Sequence, residues 1–364
     1  MQSNNKKICI VTSSLGKGGA EQSTALLSKM LEQMGYTIHL VTVLNLVDYE
    51  YAGTLLNLGA LKDEKDGIFA RLNRLLVFRK HLKNHQFYCI IDNRSRNSWL
   101  RETLLTKLIY KPYRVIYVLR SYNLNYYFPK NKNLAKSLYQ NASGIVCVSK
   151  EIETLVKNVY GFKNTTTIYN PIQEPQLPLK SGFVVDYKYV LAYGRLDEAV
   201  KNYSLLIESY KLSSLPQENI NLIIMGSGPD LNVLKKKVSK LEIENNVHFI
   251  PFNKNPLEIV AKAQFVCLTS RFEGFPRVLI ESLSLGVPVI SVDCLSGPNE
   301  IIKHGHNGLL VENFNANAFA EAMNSFIFDD SLYRFCKQNA KESVLPFAME
   351  QIALQWEDLL KNIS

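Results

Sequence analysis

Two carboxylates, Glu273 and Glu281, frame the stretch Ser270-Arg-Phe-Glu-Gly-Phe-Pro-Arg-Val-Leu-Ile-Glu281. An apolar strand ends at Thr269, and Pro276 stands where the first turn of a helix begins. The backbone amides of Phe275 to Val278 then lack intrahelical partners. They form an anion site at the carboxyl edge of a parallel sheet, where ligands of such sheets bind. Acids beside an anion site make chemical sense if they accept hydrogen bonds from vicinal hydroxyls. Taken alone, Glu273 reads as an ordinary charge at a helix start and Glu281 as a solvated surface residue. A second cluster changes that balance. After another strand, Gly194-Arg-Leu-Asp-Glu-Ala-Val-Lys-Asn202 sends Arg195 and Lys201 off the same sheet edge. A guanidinium and an ammonium converging there would neutralise a departing diphosphate, although each alone is more often a plain surface cation.

The elements that must position these groups alternate strand and helix along the chain. Lys7 to Thr12 is a short apolar strand, followed by the glycine-rich Ser13 to Glu21, a helix over Ala20 to Met34 stopped by Gly35, and a strand over Thr37 to Val43. Such a unit is a parallel βαβ crossover. Strands recur at Phe87–Ile91, Arg114–Leu119, Gly144–Val148 and Thr165–Tyr169, with helices at Ile68–Lys83 and Trp99–Ile109 and from Ser149 to Val159. Three prolines within Asn170 to Pro178 interrupt the pattern and mark an interdomain linker. Strands at Tyr189–Tyr193, Asn221–Met225, Val247–Ile250, Phe265–Leu268 and Val287–Val292 then alternate with helices again. The expected fold class is α/β, with two doubly wound Rossmann-like domains facing a cleft. The expected division is 1–170, 171–345 and a C-terminal helix, 346–364, able to cross back to the first domain.

Composition sets outer limits. The 364 residues are 46% hydrophobic and 21% charged, ordinary values for a globular chain. No apolar run approaches the roughly 18 residues of a membrane-spanning helix. The polar Met1–Lys7 start carries no leader pattern, so a cytoplasmic protein is expected. Cys9, Cys89, Cys147 and Cys267 lie in apolar runs and read as buried reduced thiols, and no two cysteines have metal-ligand spacing. Residues 1–170 hold 24 Lys+Arg against 11 Asp+Glu, a balance of +13, while 171–364 balance at −4. The basic half is expected to meet anionic surfaces or phosphates.

Several motifs taken together resemble one family. Gly194-Arg-Leu with Lys201-Asn202, Gly226-Ser-Gly-Pro229, Glu273-Gly-Phe-Pro with Glu281 eight positions on, and Gly286-Val-Pro-Val289 occur in order. With Gly16-Lys-Gly-Gly-Ala-Glu21 and Tyr169-Asn-Pro171, they resemble the retaining glycosyltransferases of family 4, which have the GT-B fold, over nearly the whole chain. The resemblance implies that Arg195 and Lys201 bind the donor diphosphate, that Glu281 holds the ribose hydroxyls and that Glu273 contacts the transferred sugar. It implies that the amides of Gly274, Phe275, Pro276, Arg277 and Val278 (proline contributing no N–H) line the phosphate or sugar. It further places Phe252, at the end of Ile250-Pro-Phe252, against the base, and Gly18 and Gly19 where backbone approaches the acceptor or donor phosphate. Many members carry a His where this chain has Arg120. An arginine stays protonated and cannot serve as a base, so Arg120 is expected either to clamp an anionic acceptor or hydrogen-bond the sugar, or to form a structural ion pair. The chain has no Asp-x-Asp pair, so the expected reaction needs neither metal nor other cofactor.

The expected partners are a nucleotide-sugar, UDP-linked ahead of GDP-linked, and a saccharide or polyprenyl-linked acceptor in bacterial surface-glycan synthesis. Two rival readings fit less well. A nicotinamide oxidoreductase fits poorly, because the third glycine of a dinucleotide fingerprint falls at Glu21 and no acid ends the second strand. A non-enzymatic nucleic-acid binder lacks aromatic interleaving among its bases, so no nucleic-acid partner is expected. A basic helix over Arg71–Lys83 has Leu72, Leu75, Leu76 and Phe78 on an apolar stripe. It is read either as an interfacial helix docking the first domain on the inner face of the membrane or as a helix packed on its own sheet.

Overall fold

The computed structural model describes residues 6–62, 66–175 and 185–363. The part of the proline-rich linker beyond Pro175 and the first five residues lie outside the described residues. Two compact units form: Met1–Pro171 with Met349–Ser364, and Ile172–Ala348.

The first unit is built on a seven-stranded parallel sheet of β1 (Lys7–Thr12), β2 (Thr37–Thr42), β3 (Thr54–Asn57), β4 (Cys89–Asp92), β5 (Val115–Leu119), β6 (Gly144–Cys147) and β7 (Thr165–Thr167), ordered β3-β2-β1-β4-β5-β6-β7. Its helices are α1 (Gly19–Gln33), α2 (Ile68–His85), α3 (Trp99–Leu104), α4 (Lys132–Tyr139) and α5 (Lys150–Tyr160). The central strands are buried on both faces, which is why they read as unbroken β-branched runs. Local signals set the helix limits. Gly35 turns to φ +89 after α1. At α5, the Ser149 hydroxyl accepts from the Ile152 amide at 3.3 Å, and Gly161 leaves the helix at φ +71. The segment expected as one helix from Trp99 to Ile109 is α3 followed by a π-turn over Leu105–Ile109.

The second unit holds a six-stranded parallel sheet of β8 (Tyr189–Tyr193), β9 (Asn221–Met225), β10 (Val247–Ile250), β11 (Val266–Leu268), β12 (Val289–Val292) and β13 (Gly308–Val311), ordered β10-β9-β8-β11-β12-β13. Its helices are α6 (Glu198–Lys201), α7 (Tyr203–Leu212), α8 (Leu231–Lys240), α9 (Leu257–Lys262), α10 (Arg277–Ser284), α11 (Pro298–Ile301), α12 (Ala316–Phe328) and α13 (Asp330–Ser343). The last helix, α14 (Met349–Asn362), belongs to the first unit. It packs against α1, and the Tyr88 hydroxyl donates to the Leu360 carbonyl at 2.6 Å.

Both sheets reverse direction beside the first strand of their unit: β1 sits between β2 and β4, and β8 between β9 and β11. The loops leaving those strands diverge and open a crevice at the carboxyl edge. All six cysteines are buried and unpaired. Burial raises the Cys9 and Cys267 thiols well above the ordinary range. Among the described residues no helix is long and apolar enough to cross a membrane.

Candidate active site

The β8/β11 switch point carries most of the residues singled out from the sequence. Gly194 follows β8 directly, and the loop then runs through Arg195 into α6, which ends with Lys201. Asn202 adopts φ +50 and turns the chain into α7. From the neighbouring strand β11 the chain passes through Thr269 to Glu273 and enters α10 behind Pro276. Hydrogen bonds from Thr269 and Arg271 staple the two loops. Thr269 Oγ1 donates to the carbonyls of Lys201 and Asn202 at 3.2 and 3.1 Å, the Arg271 amide to the Val200 carbonyl at 2.7 Å, and Arg271 Nη2 to Asn202 Oδ1 at 3.0 Å.

This staple brings Lys201 Nζ to 2.6 Å from Glu273 Oε1, an oxygen that also accepts from the Ser270 hydroxyl at 2.6 Å. Both side chains are largely buried, at 20% and 13% exposure, so the pair is shielded rather than dissolved in bulk water. Arg195 does not join them. Its guanidinium bonds Asp197 and is 71% exposed. The two cations expected to converge are thus held by different carboxylates, because Asp197 lies only two residues beyond Arg195.

Glu281 is buried, not a solvated surface acid. Arg277, one helical turn before it on α10, donates to Oε1 from Nε at 3.1 Å and from Nη2 at 2.8 Å. The Tyr193 hydroxyl, at the end of β8, donates to Oε2 at 3.1 Å. Burial and the neighbouring Glu281 carboxylate push the Tyr193 hydroxyl well above its ordinary range, so it stays a donor. Phe275 is buried against the ring of Phe347, at a centroid distance of 5.0 Å. Gly274 accepts from the Ser296 hydroxyl at 2.8 Å. Phe252 lies two residues beyond β10, and its amide reaches Ser227 Oγ at 3.4 Å on the loop after β9. That loop crosses the one from β8 so closely that a Cβ on Gly226 would stand 1.9 Å from the Gly194 carbonyl oxygen. Only glycine fits there.

Gly18, Gly19 and Arg120 belong to the first unit. Gly18 precedes α1 and Gly19 opens it, so their amides sit at a helix start just beyond β1. Arg120 follows β5 and bonds two side-chain amides: Nη1 reaches Asn170 Oδ1, and Nη2 reaches Asn93 Oδ1 at 3.3 Å. Beneath it lies a charge cluster that the sequence analysis did not identify. Arg94 donates to Asp92 at 2.6 Å and to Glu102 at 3.0 Å, all three buried. Burial alone raises the Asp92 carboxyl, but Arg94 and Arg96 outweigh it and leave it below the ordinary aspartate range. No short motif announces this group, because Asp92 ends a strand and Glu102 sits on the next helix. Tyr193 and Ser270 were missed for a similar reason: a hydroxyl at a strand end has no spacing to reveal it.

Helix α2 divides the apolar stripe expected over Arg71–Lys83. Phe78 and Leu82 face inward and are buried. Leu72 and Leu76 face outward with Ile68 and Phe69, and farther along the helix Arg79, Lys80 and Lys83 are exposed.

Comparison with known proteins shows the family and the fold. The family model of glycosyl transferases group 1 matches residues 174–343, and that of Glycosyltransferase Family 4 matches residues 17–174. A Campylobacter jejuni relative, N-acetylgalactosamine-N,N'-diacetylbacillosaminyl-diphospho-undecaprenol 4-alpha-N-acetylgalactosaminyltransferase, is 30% identical over 373 residues, spanning 98% of this chain and 99% of its own. An amylovoran biosynthesis glycosyltransferase of Erwinia amylovora is 24% identical over 359 residues, with 98% and 99% covered. Among solved structures, Anabaena HepE with UDP and glucose superposes with a TM-score of 0.78 at 18% identity, covering 98% of this chain and all of that one. S. aureus TarM, in a complex that includes UDP, also gives 0.78, at 16% identity and with 98% and 99% covered. The chain belongs to the family 4 glycosyltransferases and has the GT-B fold of two Rossmann-like units.

Proposed function

We propose that this enzyme moves a hexose or N-acetylhexosamine from a nucleotide-diphosphate sugar to a saccharide or polyprenyl-linked saccharide, in bacterial surface-glycan synthesis. Transfer retains the anomeric configuration and needs no metal ion. The observation that carries the reading is the shielded Lys201–Glu273 pair at the β8/β11 switch point, 2.6 Å apart beside the start of α10. The activity of the Campylobacter relative and the UDP bound by HepE and TarM favour a UDP-sugar, with a GDP-sugar second, and a lipid-linked acceptor.

The division of labour follows from charge. As the bond from the anomeric carbon to the diphosphate breaks, negative charge grows on the leaving oxygen and positive charge on the sugar. Lys201, together with Arg195 once it swings away from Asp197, meets the first. Glu273, on the other side of Lys201, meets the sugar. The start of α10, over Gly274 to Val278, adds the positive end of a helix dipole. Glu281 is already oriented by Arg277 and Tyr193, and its oxygens keep lone pairs for two ribose hydroxyls. Phe252 offers a flat apolar surface for the base. In the first unit, Arg120 meets the acceptor or the sugar, and Gly18 and Gly19 let backbone approach the acceptor or the donor phosphate. A thermal-shift series with UDP, GDP and ADP tests the donor half, since a ligand bound only by the native state raises its melting temperature. The largest rise is expected with UDP; equal, negligible shifts with all three would remove the donor site.

The exposed face of α2 suits a membrane-bound acceptor. Ile68 and Phe69 are 74% and 88% exposed, and Arg79, Lys80 and Lys83 continue the same face. Apolar side chains beside cations are the pattern of reversible docking on an anionic leaflet, here the cytoplasmic face of the cell membrane. Co-sedimentation with anionic vesicles that fades as salt rises is expected. Equal, negligible binding to anionic and neutral vesicles at low salt would instead favour a soluble acceptor.

A further inference from the structure

Three of the six histidines meet at one edge of the first unit. His39 lies on β2, and His81 and His85 lie one turn apart on α2. One nitrogen from each ring can be chosen so that all three lie within 4.8 Å of one another. The ring centroids are 4.5 Å apart for His39 and His85, 4.4 Å for His81 and His85, and 5.5 Å for His39 and His81. Phe87 closes the apolar side of the group, 5.1 Å from His39 and 5.5 Å from His81.

Each ring is oriented so that a nitrogen remains for a ligand. His85 Nδ1 is 2.9 Å from the His81 carbonyl oxygen, an acceptor only, so Nδ1 carries the proton and the Nε2 lone pair is available. His39 Nδ1 is 2.9 Å from the hydroxyl of Thr54, its register partner on β3; in the tautomer that donates from Nδ1 to that hydroxyl, the Nε2 lone pair is left for a ligand. His81 Nε2 is buried and has no hydrogen-bond partner. A metal-binding histidine commonly has its other nitrogen held in this way by a carbonyl or another acceptor. A buried imidazole nitrogen with no partner is costly without a ligand. Burial also favours the neutral, metal-binding form: desolvation and His85 lower His81 to about 4, and desolvation lowers His39.

We propose that His39, His81 and His85 bind one divalent transition-metal ion, Zn²⁺ by preference, through their Nε2 atoms, with water in the remaining position. Three imidazoles and an open site suit zinc. The nitrogens must close in by rotation about their side-chain bonds to reach ordinary zinc–nitrogen lengths of about 2.0–2.1 Å. The half-exposed His81 and His85 have room to do so. The ion pins the last turn of α2 to the β2–β3 edge of the sheet and takes no part in sugar transfer.

The test uses the full-length protein without a polyhistidine tag, stripped with chelator and titrated with Zn²⁺ against a chromogenic zinc indicator. One ion per chain is expected, with a rise in melting temperature at saturation, and Co²⁺ in its place should give the intense visible bands of a four-coordinate site. His81→Gln and His85→Gln should each weaken binding by tenfold or more, Thr54→Val by about tenfold through loss of the held Nδ1, and His304→Gln not at all. Circular dichroism checks that each variant folds; His85, on the outer side of the group, is the safer substitution. Absence of saturable binding would overturn the site. So would binding that survives both His85→Gln and Thr54→Val unchanged.

Discussion

Lys201 and Glu273 come from different loops, and their pairing depends on the hydrogen bonds that Thr269 and Arg271 make to the backbone around residues 200–202. Losing one such preorganised charge contact costs on the order of 10²-fold in rate. Lys201→Ala and Glu273→Ala should therefore remain folded and lose transfer by about that factor, read as turnover at saturating donor, and Arg195→Ala should stay folded and lose transfer as well. Near-normal turnover in any one would remove that residue from the reaction. Glu281→Ala should act mainly through donor KM. Arg277 is a different case. Removing it leaves the buried Glu281 carboxylate without its main partner, and breaking a buried pair this way costs about 3–5 kcal/mol. Arg277→Met should show that loss in urea unfolding, beyond any effect on donor binding. Asp92 links charge to pH. Its lowered folded pKa means its stabilisation is present above the ordinary aspartate range and lost as pH falls through the folded value. Acid unfolding should be less steep below about pH 4 in Asp92→Asn than in the parent, provided the variant folds.

At the scale of elements, much was legible because the signals are local. Continuous β-branched runs marked the central strands, and Ser149 with Gly161 bracketed α5. Ser149→Ala should cost about 1 kcal/mol by removing that cap, measurable as a lower denaturation midpoint. Two strands went unread. β3 (Thr54–Asn57) is a partly exposed edge strand of four residues, and β13 (Gly308–Val311) is equally short at the far edge of the other sheet. Neither has the length that makes an apolar run distinctive. The stripe on α2 was seen, but its division between inward Phe78 and Leu82 and outward Leu72 and Leu76 was not, since spacing alone does not say which side meets the sheet. The same limit hid the histidines. The four-residue step from His81 to His85 is visible, whereas His39 joins them only through the placement of α2 over β2.

Over the whole molecule, the charge asymmetry was plain from composition, whereas the return of α14 to the first unit was legible only as an option. The candidate site was legible for the residues carried in motifs. Their mutual arrangement was not: Arg195 binds its near neighbour Asp197, and Glu281 is buried under Arg277 and Tyr193. The basic first 170 residues and the outward face of α2 give the membrane prediction its sign. Replacing Phe69 and Leu72 with Ser should reduce vesicle binding while leaving transfer to a water-soluble acceptor intact. Equal vesicle binding by parent and variant would move the docking surface elsewhere. The central claim, retaining transfer from a nucleotide-sugar, is met most directly by incubating the protein with labelled UDP-sugars, GDP-sugars and a polyprenyl-diphosphate-linked saccharide, in chelator, and assigning the anomeric configuration of the product by NMR. Acceptor-dependent transfer of an α-linked sugar from one UDP-sugar is predicted; a folded protein that neither transfers nor hydrolyses any of the donors, or that yields the inverted β-linkage from an α-linked donor, would contradict it.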